Sequence, residues 1–212
     1  MTFEEIAKRV SNYNRNRKYD FFINYFRPSL DTTILDVGAA EEEYHQTTNI
    51  LEKRYPHPEK ITVLGVEDYR KFSKRSPKVR IVRYGGDSFP FKDETFDICW
   101  SNAVIEHVGN RNKQKTFLSE INRVANKVFF TTPNRYFPFE VHSKVFLLHY
   151  FPKSIFDKIL KKLDKAWASG DYMFLLSLRD IKAILKECNI TEYEVIKNKF
   201  ILFTVDFMVI LK

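Results

Sequence analysis

Apolar positions along the chain recur in two alternating rhythms. Phe3, Ile6, Val10 and Tyr13 fall at helical spacing, behind the capping-box spacing of Thr2 and Glu5. A second helical piece is predicted over Tyr19–Phe26 and stops before Pro28. Thr33–Val37 is a short apolar run of strand formers that ends at Gly38. Residues 42–55 predict a helix closed by Pro56 and Pro58. Ile61–Val66 reads as a buried strand, with a short helical or loop segment from Asp68. Strands follow over Val79–Tyr84, Phe96–Trp100 and Lys127–Thr132, with a helix around Lys113–Val124 before the last.

Strand and helix in alternation predict an α/β protein, with a parallel sheet covered on both faces and right-handed crossovers. After Pro133 the pattern breaks. Residues 134–172 are rich in aromatic and basic residues and fit no βα unit. Within them Phe151, Ile155, Phe156, Ile159, Leu160 and Leu163 form an apolar helical stripe. Order resumes at a capping box of Ser177 and Asp180, and Ile181, Ile184, Leu185 and Cys188 continue that helix. Glu192–Lys197 and Ile201–Leu211 read as two strands, and their short link around Asn198 predicts an antiparallel hairpin. The expected organisation is a single domain, 1–212. It comprises N-terminal helices (1–28), a ligand-binding core (29–133), an inserted cap (134–172) and a C-terminal helix with strand hairpin (173–212).

Composition narrows this only slightly. A chain of 212 residues, 44% hydrophobic, can bury one full core. Its 20 Phe residues favour a Phe-rich one. A net charge of +8 implies attraction to anions without naming a partner. Cys99 and Cys188 stand far apart with no CxxC pattern, so neither a disulfide framework nor a metal site is expected, and a reducing compartment is. The acidic start Met1–Glu5 lacks the features of a signal peptide, and no run reaches the ~18 apolar residues of a membrane span. The expectation is a cytoplasmic protein.

Ligands of open α/β sheets bind beyond the carboxyl ends of the strands. The residues standing there are therefore the candidates. Asp36-Val37-Gly38-Ala39-Ala40 follows the first strand, where Gly38 permits a tight turn and the next helix would offer free N–H groups to an anion. Glu41, Glu42 and Glu43 would then sit at that helix's N-terminus, favoured by its dipole. Gly65-Val66-Glu67 ends the second strand with an acid suited to two ribose hydroxyls. Gly85-Gly86-Asp87 follows the third, and Ser101-Asn102 the fourth.

In their order and spacing these blocks resemble the class I S-adenosylmethionine-dependent methyltransferases, in particular the large small-molecule group. The matches are Asp36 and Gly38, Gly65-Val66-Glu67, Asp87-Ser88-Phe89-Pro90-Phe91, Phe96-Asp97, Ser101-Asn102, Glu106-His107 and Thr132-Pro133-Asn134. They cover roughly residues 30–135. The resemblance implies a Rossmann-like, seven-stranded, mostly parallel sheet whose last strand is antiparallel, with a helical insertion after strand five. It implies S-adenosyl-L-methionine as cofactor. Asp36, Gly38 and Ala39 would then hold its methionine end and Glu67 its ribose. Asp87 would accept from the adenine amino group with Ser88 beside it, and Ser101 and Asn102 would face the ammonium and the sulfonium. Two of the family's glycines are replaced, by Ala40 and Glu42.

The implied reaction moves a methyl group to an oxygen or nitrogen of a small molecule, with a sugar or lipid-linked acceptor as one form. The candidate general bases are His107 and His142. For Glu106 and His107 a structural role is the competing reading. Residues 134–172 would grip the acceptor. Lys153, Lys158, Lys161, Lys162 and Lys165 border the apolar stripe, so residues 151–165 either contact a membrane peripherally or form a lid helix with solvated lysines. Two other functions stay open: a non-catalytic module of this fold, and a nucleic-acid methyltransferase. Against the latter, no Asn-Pro-Pro-Tyr or Asp-Pro-Pro-Tyr motif follows the fourth strand.

Overall fold

The computed structural model describes residues 3–137, 139–140, 145–146, 158, 173–200 and 202–212. Helix α1 spans Phe3–Phe26. Strand β1 is Ile34–Val37, and the five-residue helix α2 is Ile50–Arg54. Then come β2 (Ile61–Gly65), α3 (Arg70–Arg75), β3 (Arg80–Arg83) and β4 (Phe96–Asn102). Helix α4 (Arg111–Val124) leads into β5 (Ala125–Pro133). Helix α5 (Leu178–Glu187) precedes β6 (Tyr193–Phe200) and β7 (Phe203–Leu211).

The seven strands form one sheet in the order β3-β2-β1-β4-β5-β7-β6. Strand β1 pairs in parallel with both β2 and β4, and β2 with β3. Strands β6 and β7 are antiparallel. This is the mostly parallel, Rossmann-like sheet that the alternation and the motifs predict. The order turns back on itself at β1 and β4, and the crevice at such a reversal is where α/β sheets take their ligands.

By its contacts the chain divides into two compact units. The first contains residues 1–102 and 120–129. Its core is apolar where the strands are. Ile34, Leu35, Ile61, Val63 and Leu64 are fully buried. From α1, Phe22 sets its ring 4.9 Å from Trp100, which in turn stacks on Phe129 at 5.1 Å. Truncating a ring so placed typically costs about 3–5 kcal/mol.

The two helical pieces expected before Pro28 are one continuous helix. Residues 14–18 carry no helix breaker, and Asn14, Lys18, Tyr19 and Phe22 give it a buried face across the supposed gap. A second difference is larger. The helix expected over 42–55 survives only as α2, and residues 41–49 form a loop.

The second unit contains residues 103–119 and 130–211. Its helix α5 starts on the expected capping box. Asp180 N donates to Ser177 Oγ (3.2 Å), and Ser177 N to Asp180 Oδ2 (2.9 Å). Ile181, Ile184 and Leu185 are its buried stripe. Glu187 near its end meets Arg111 at 2.7 Å. The two strands stay paired as far as Phe200 and Phe203, so the hairpin does not turn around Asn198. Asn198 is instead buried within β6, opposite Asp206, beside a bulge that lets the strand continue. Of the segment 134–172, the short backbone ladder Phe139–Glu140 with Val145–Phe146 is described. The stripe Phe151–Leu163 lies outside the described residues.

Gly65 illustrates how tightly the strand ends are packed. A Cβ built there would lie 1.8 Å from the hydroxyl oxygen of Tyr69. That ring is buried and donates its hydroxyl to Ala39 O at 2.8 Å. Gly65→Ala should therefore destabilise the protein by roughly 1–3 kcal/mol, the usual cost of overpacking. Urea unfolding measures it. In a Tyr69→Ala background the added methyl should cost almost nothing, and equal costs in both backgrounds would show that the ring is not what excludes it.

Candidate functional site

The turn after β1 begins conventionally. Gly38 takes a positive φ of 94° and donates its N–H to Leu64 O at 3.0 Å. It then departs from the expectation that a helix follows with free amides. The side chain of Asn49 clasps Ala40 on both sides: Ala40 N donates to Oδ1, and Nδ2 donates to Ala40 O, each at 2.8 Å. Asn49 can do this because its backbone is left-handed (φ 54°), a region that asparagine tolerates better than most residues. The clasp closes residues 40–49 into a loop. The next amide, Glu41 N, donates to Glu67 Oε2 at 2.9 Å. Two turn amides that an anion might have used are thus engaged within the protein.

The acidic residues are not at the start of their own helix. Glu41 reaches instead to the N-terminus of α3, where Lys71 N (2.7 Å) and Phe72 N (3.0 Å) donate to its two oxygens. Burial opposes its charge, but these amides hold its carboxyl below the ordinary range. Glu42 pairs with Lys71, and Glu43 with Lys53 (2.9 Å) and Arg75 (3.4 Å). The loop also leans on α1. Thr47 Oγ1 donates to Asn12 Oδ1 at 2.8 Å, and Arg15 Nη1 donates to Thr48 Oγ1 at 3.5 Å.

These supports enclose a cavity at the β1–β4 crevice. Asp36, Gly38, Ala39 and Asn102 line it, as do Arg15 and Glu52. The sequence reading passed over the last two. Arg15 belongs to a helix with no motif, and Glu52 falls in the last turn of the helix predicted over 42–55. Arg15 is half-buried, and burial draws its pKa down, although a guanidinium stays charged. Asp36 and Glu52 are buried neighbours. Burial pushes the Asp36 carboxyl well above the usual carboxylate range, reinforced by Glu52, and burial raises Glu52 as well.

Trp100 and Asn102 line the cavity, and Trp100 is in register with Asp36. Side chains alternate along a strand, so Ser101 points to the opposite face. Ser101 is buried and its hydroxyl has no partner among the described residues. The structure thus separates the two residues that the sequence reading placed together. Glu67, Asp87 and Ser88 are exposed and stand outside the cavity lining. The loop that carries Asp87 and Ser88 is fastened from α4. Glu120 Oε2 accepts from Phe89 N at 2.6 Å, and Arg123 donates to Phe91 O at 2.8 Å. Asp97 orients a turn, accepting from Thr33 N and Oγ1, both at 2.8 Å.

In the second unit Glu106 is fully buried and accepts from Thr132 Oγ1 at 3.2 Å. Its carbonyl accepts from Phe174 N at 2.7 Å. His107 is half-buried, in the short turn Ile105–His107. Asn134 donates through Nδ2 to Thr204 O at 2.9 Å, which ties the end of β5 to β7. His142 lies outside the described residues. Among the described residues no acid, cysteine or histidine group could hold a metal, and no helix is long and apolar enough to cross a membrane.

Residues 35–128 match the methyltransferase domain family. No curated protein matches the chain. Among solved structures, it is similar to a SAM-dependent methyltransferase from Methanosarcina mazei, at 14% identity and TM-score 0.54, over 90% of this chain and 96% of that one. It is similar to the magnesium protoporphyrin IX methyltransferase of Synechocystis PCC 6803 with bound SAH, at 10% identity and TM-score 0.59, over 100% and 88%. It is also similar to the CurJ carbon methyltransferase, at 11% and 0.59, over 93% and 53%. At such identities the likeness is one of fold. Together with the domain match over residues 35–128 and the strand-end motifs, it is consistent with a class I methyltransferase, a class whose cofactor is S-adenosylmethionine.

The Ala40–Asn49 clasp is open to direct test. Asn49→Ala removes both bonds and puts a Cβ-bearing residue with no local hydrogen bond into the left-handed region, so it should cost about 1–3 kcal/mol of stability. Asn49→Gly keeps the backbone conformation and should cost less. Denaturant unfolding gives the order, and equal stability of all three proteins would remove the clasp from the account.

Proposed function

We propose that the cavity at the β1–β4 crevice receives the methionine end of S-adenosylmethionine, and that the enzyme methylates an oxygen or nitrogen of a small molecule. One observation carries the first part: Arg15 lines the same cavity as Asp36 and Asn102. A zwitterionic amino acid needs both signs of charge within a few ångströms. The turn amides that commonly serve its carboxylate are engaged, so a guanidinium in the cavity wall is the natural replacement. Arg15 would bind the carboxylate, and Asp36 and Asn102 would receive the ammonium. The residues fit the group, because a half-buried cation and two buried carboxyls in one wall lack enough counter-charges of their own.

Glu67 would bind the ribose hydroxyls, exchanging its bond to Glu41 N for them. Asp87 would accept from the adenine amino group, with Ser88 beside it. Gly38 and Ala39 would let the backbone come close. Ser101 would support the strand end from its far face.

Bound S-adenosylmethionine supplies an electrophilic methyl on a positively charged sulfur. The protein's work is then to orient the acceptor, exclude water and remove a proton where the acceptor is an alcohol. His107 and His142 are the candidates for that proton. Residues 134–172, with their aromatic, basic and acidic mix, would hold the acceptor. The polar character of Asn134-Arg135-Tyr136 and Glu140-Val141-His142 suits an acceptor with an anionic or sugar part.

Calorimetric titration tests the cofactor assignment. Wild type should bind S-adenosylmethionine and its demethylated product. Arg15→Leu should weaken both by roughly 10–100-fold, the value of a charge-assisted pair of about 1.5–3 kcal/mol, and Arg15→Lys should lose less. Absence of binding at millimolar ligand would overturn the reading. For the acceptor, carbon-13 methyl S-adenosylmethionine and a panel of sugars and amines should yield O- or N-methyl signals by NMR. A C-methyl product would overturn that part alone.

A further inference from the structure

Glu52 is the most anomalous residue of the cofactor unit. It stands on α2 after Ile50 and Leu51, so three successive positions of a five-residue helix are buried. Only 6% of it is exposed, and among the described residues no well-formed hydrogen bond from a donor reaches either carboxyl oxygen. Lys53, the adjacent cation, is turned to Glu43 and to Gln46 O. The neighbour of the Glu52 carboxyl is another carboxyl, Asp36, in the wall of the same cavity.

Two carboxyls in contact away from water do not both stay ionised. As two carboxylates they repel each other and leave acceptor atoms without donors. With one proton between them they form an O–H···O bond that satisfies both. The surroundings favour that state. From α1, Arg15 offers one positive charge, which it shares with Thr48. From the turn after β2 comes Tyr69, whose hydroxyl already donates to Ala39 O, and whose own ionisation burial and Asp36 suppress. From β4 comes Cys99, a thiol that burial and Asp36 keep protonated. On α2, Lys53 acts only from outside. Among the described residues no cation is paired directly with either carboxyl, and a shared proton stands between them instead.

We infer that Asp36 and Glu52 share one proton in the free protein and release it when the amino-acid end of the cofactor enters, so that cofactor binding is linked to proton release. This rests on the cofactor reading above. Arg15 turns to the incoming carboxylate, and the ammonium takes the proton's place between the two carboxylates. The ligand adds no net charge there, and the proton leaves to solvent. Glu52 is accordingly a positioning residue for the ammonium. Its effect has a sign: the free form holds the proton more tightly, so affinity rises with pH, by up to about tenfold per unit for one proton.

The experiment titrates wild-type protein with S-adenosylhomocysteine near neutral pH, in buffers of differing ionisation enthalpy. About one proton should be released per ligand bound. 5′-Methylthioadenosine, which lacks the amino-acid end, should bind weakly and release none. Glu52→Gln keeps the shape but removes the shared proton, so the rise of affinity with pH should disappear. A second readout needs no ligand. The pair's proton affinity is raised in the folded state, so its contribution to stability is present at low pH and lost as pH rises through the folded value. Unfolding of wild type should show that loss, and Glu52→Gln should flatten it. Binding without proton release overturns the inference and leaves the cofactor site standing. A stability profile identical in wild type and Glu52→Gln also overturns it. No binding at millimolar ligand overturns both readings together.

Discussion

A pair of hydrogen bonds between the Asn49 side chain and the Ala40 backbone governs the loop beside the β1–β4 crevice. It replaces the helix that usually follows the first strand of such a sheet with a closed loop. Much of the cavity's surroundings follows from that replacement. A loop exposes more backbone than a helix, so residues 41–49 need partners from elsewhere. Asn12 and Arg15 on α1 take the threonines, and α3 takes Glu41. The helix restarts only at Ile50, which brings Glu52 rather than an aliphatic residue to the cavity wall. One turn of altered backbone thus changes which side chains line the cavity.

The charges follow the same logic. Three consecutive glutamates beside a ligand that carries a carboxylate would be a liability if they were unpaired. Each has a basic or amide partner on α2 or α3, and they fasten the loop rather than face the cavity. The cavity's own charge comes from Asp36, Glu52 and Arg15, which burial keeps out of reach of salt screening. A dinucleotide would bring two phosphates to a wall with one guanidinium and two carboxyls. A methionine moiety brings one charge of each sign, and that is the better match.

The strand-end motifs were legible because they are short-range. Ile34–Val37, Ile61–Gly65 and the box at Ser177 and Asp180 each declare themselves within a few residues, and the structure places them as expected. What escaped was non-local. Residues 42–55 have an acceptable helical pattern, and nothing within them tells that Asn49 will bond to Ala40 and Glu41 to α3. Arg15 carries no motif, and its importance arises only when α1 meets the β1 turn. Ser101 and Asn102 are adjacent in sequence, but the pleat separates them. Asn198 has the composition of a turn, yet the strand absorbs it through a bulge.

The solved structures that share this fold include a carbon methyltransferase and a magnesium protoporphyrin methyltransferase. A common sheet therefore leaves the acceptor undecided. On the proposed reading Asp36, Arg15 and Glu67 would face the cofactor, which all such enzymes share, and would contribute little to that choice. Selectivity must come from residues that differ where the chemistry differs. On the proposed reading those would lie after β5, where the βα rhythm stops at Pro133. At that break Asn134 bonds to both Val205 O and Thr204 O, which ties the end of β5 to β7. The strand-end motifs are readable because they recur with this fold, whereas the fold itself carries no mark of the acceptor.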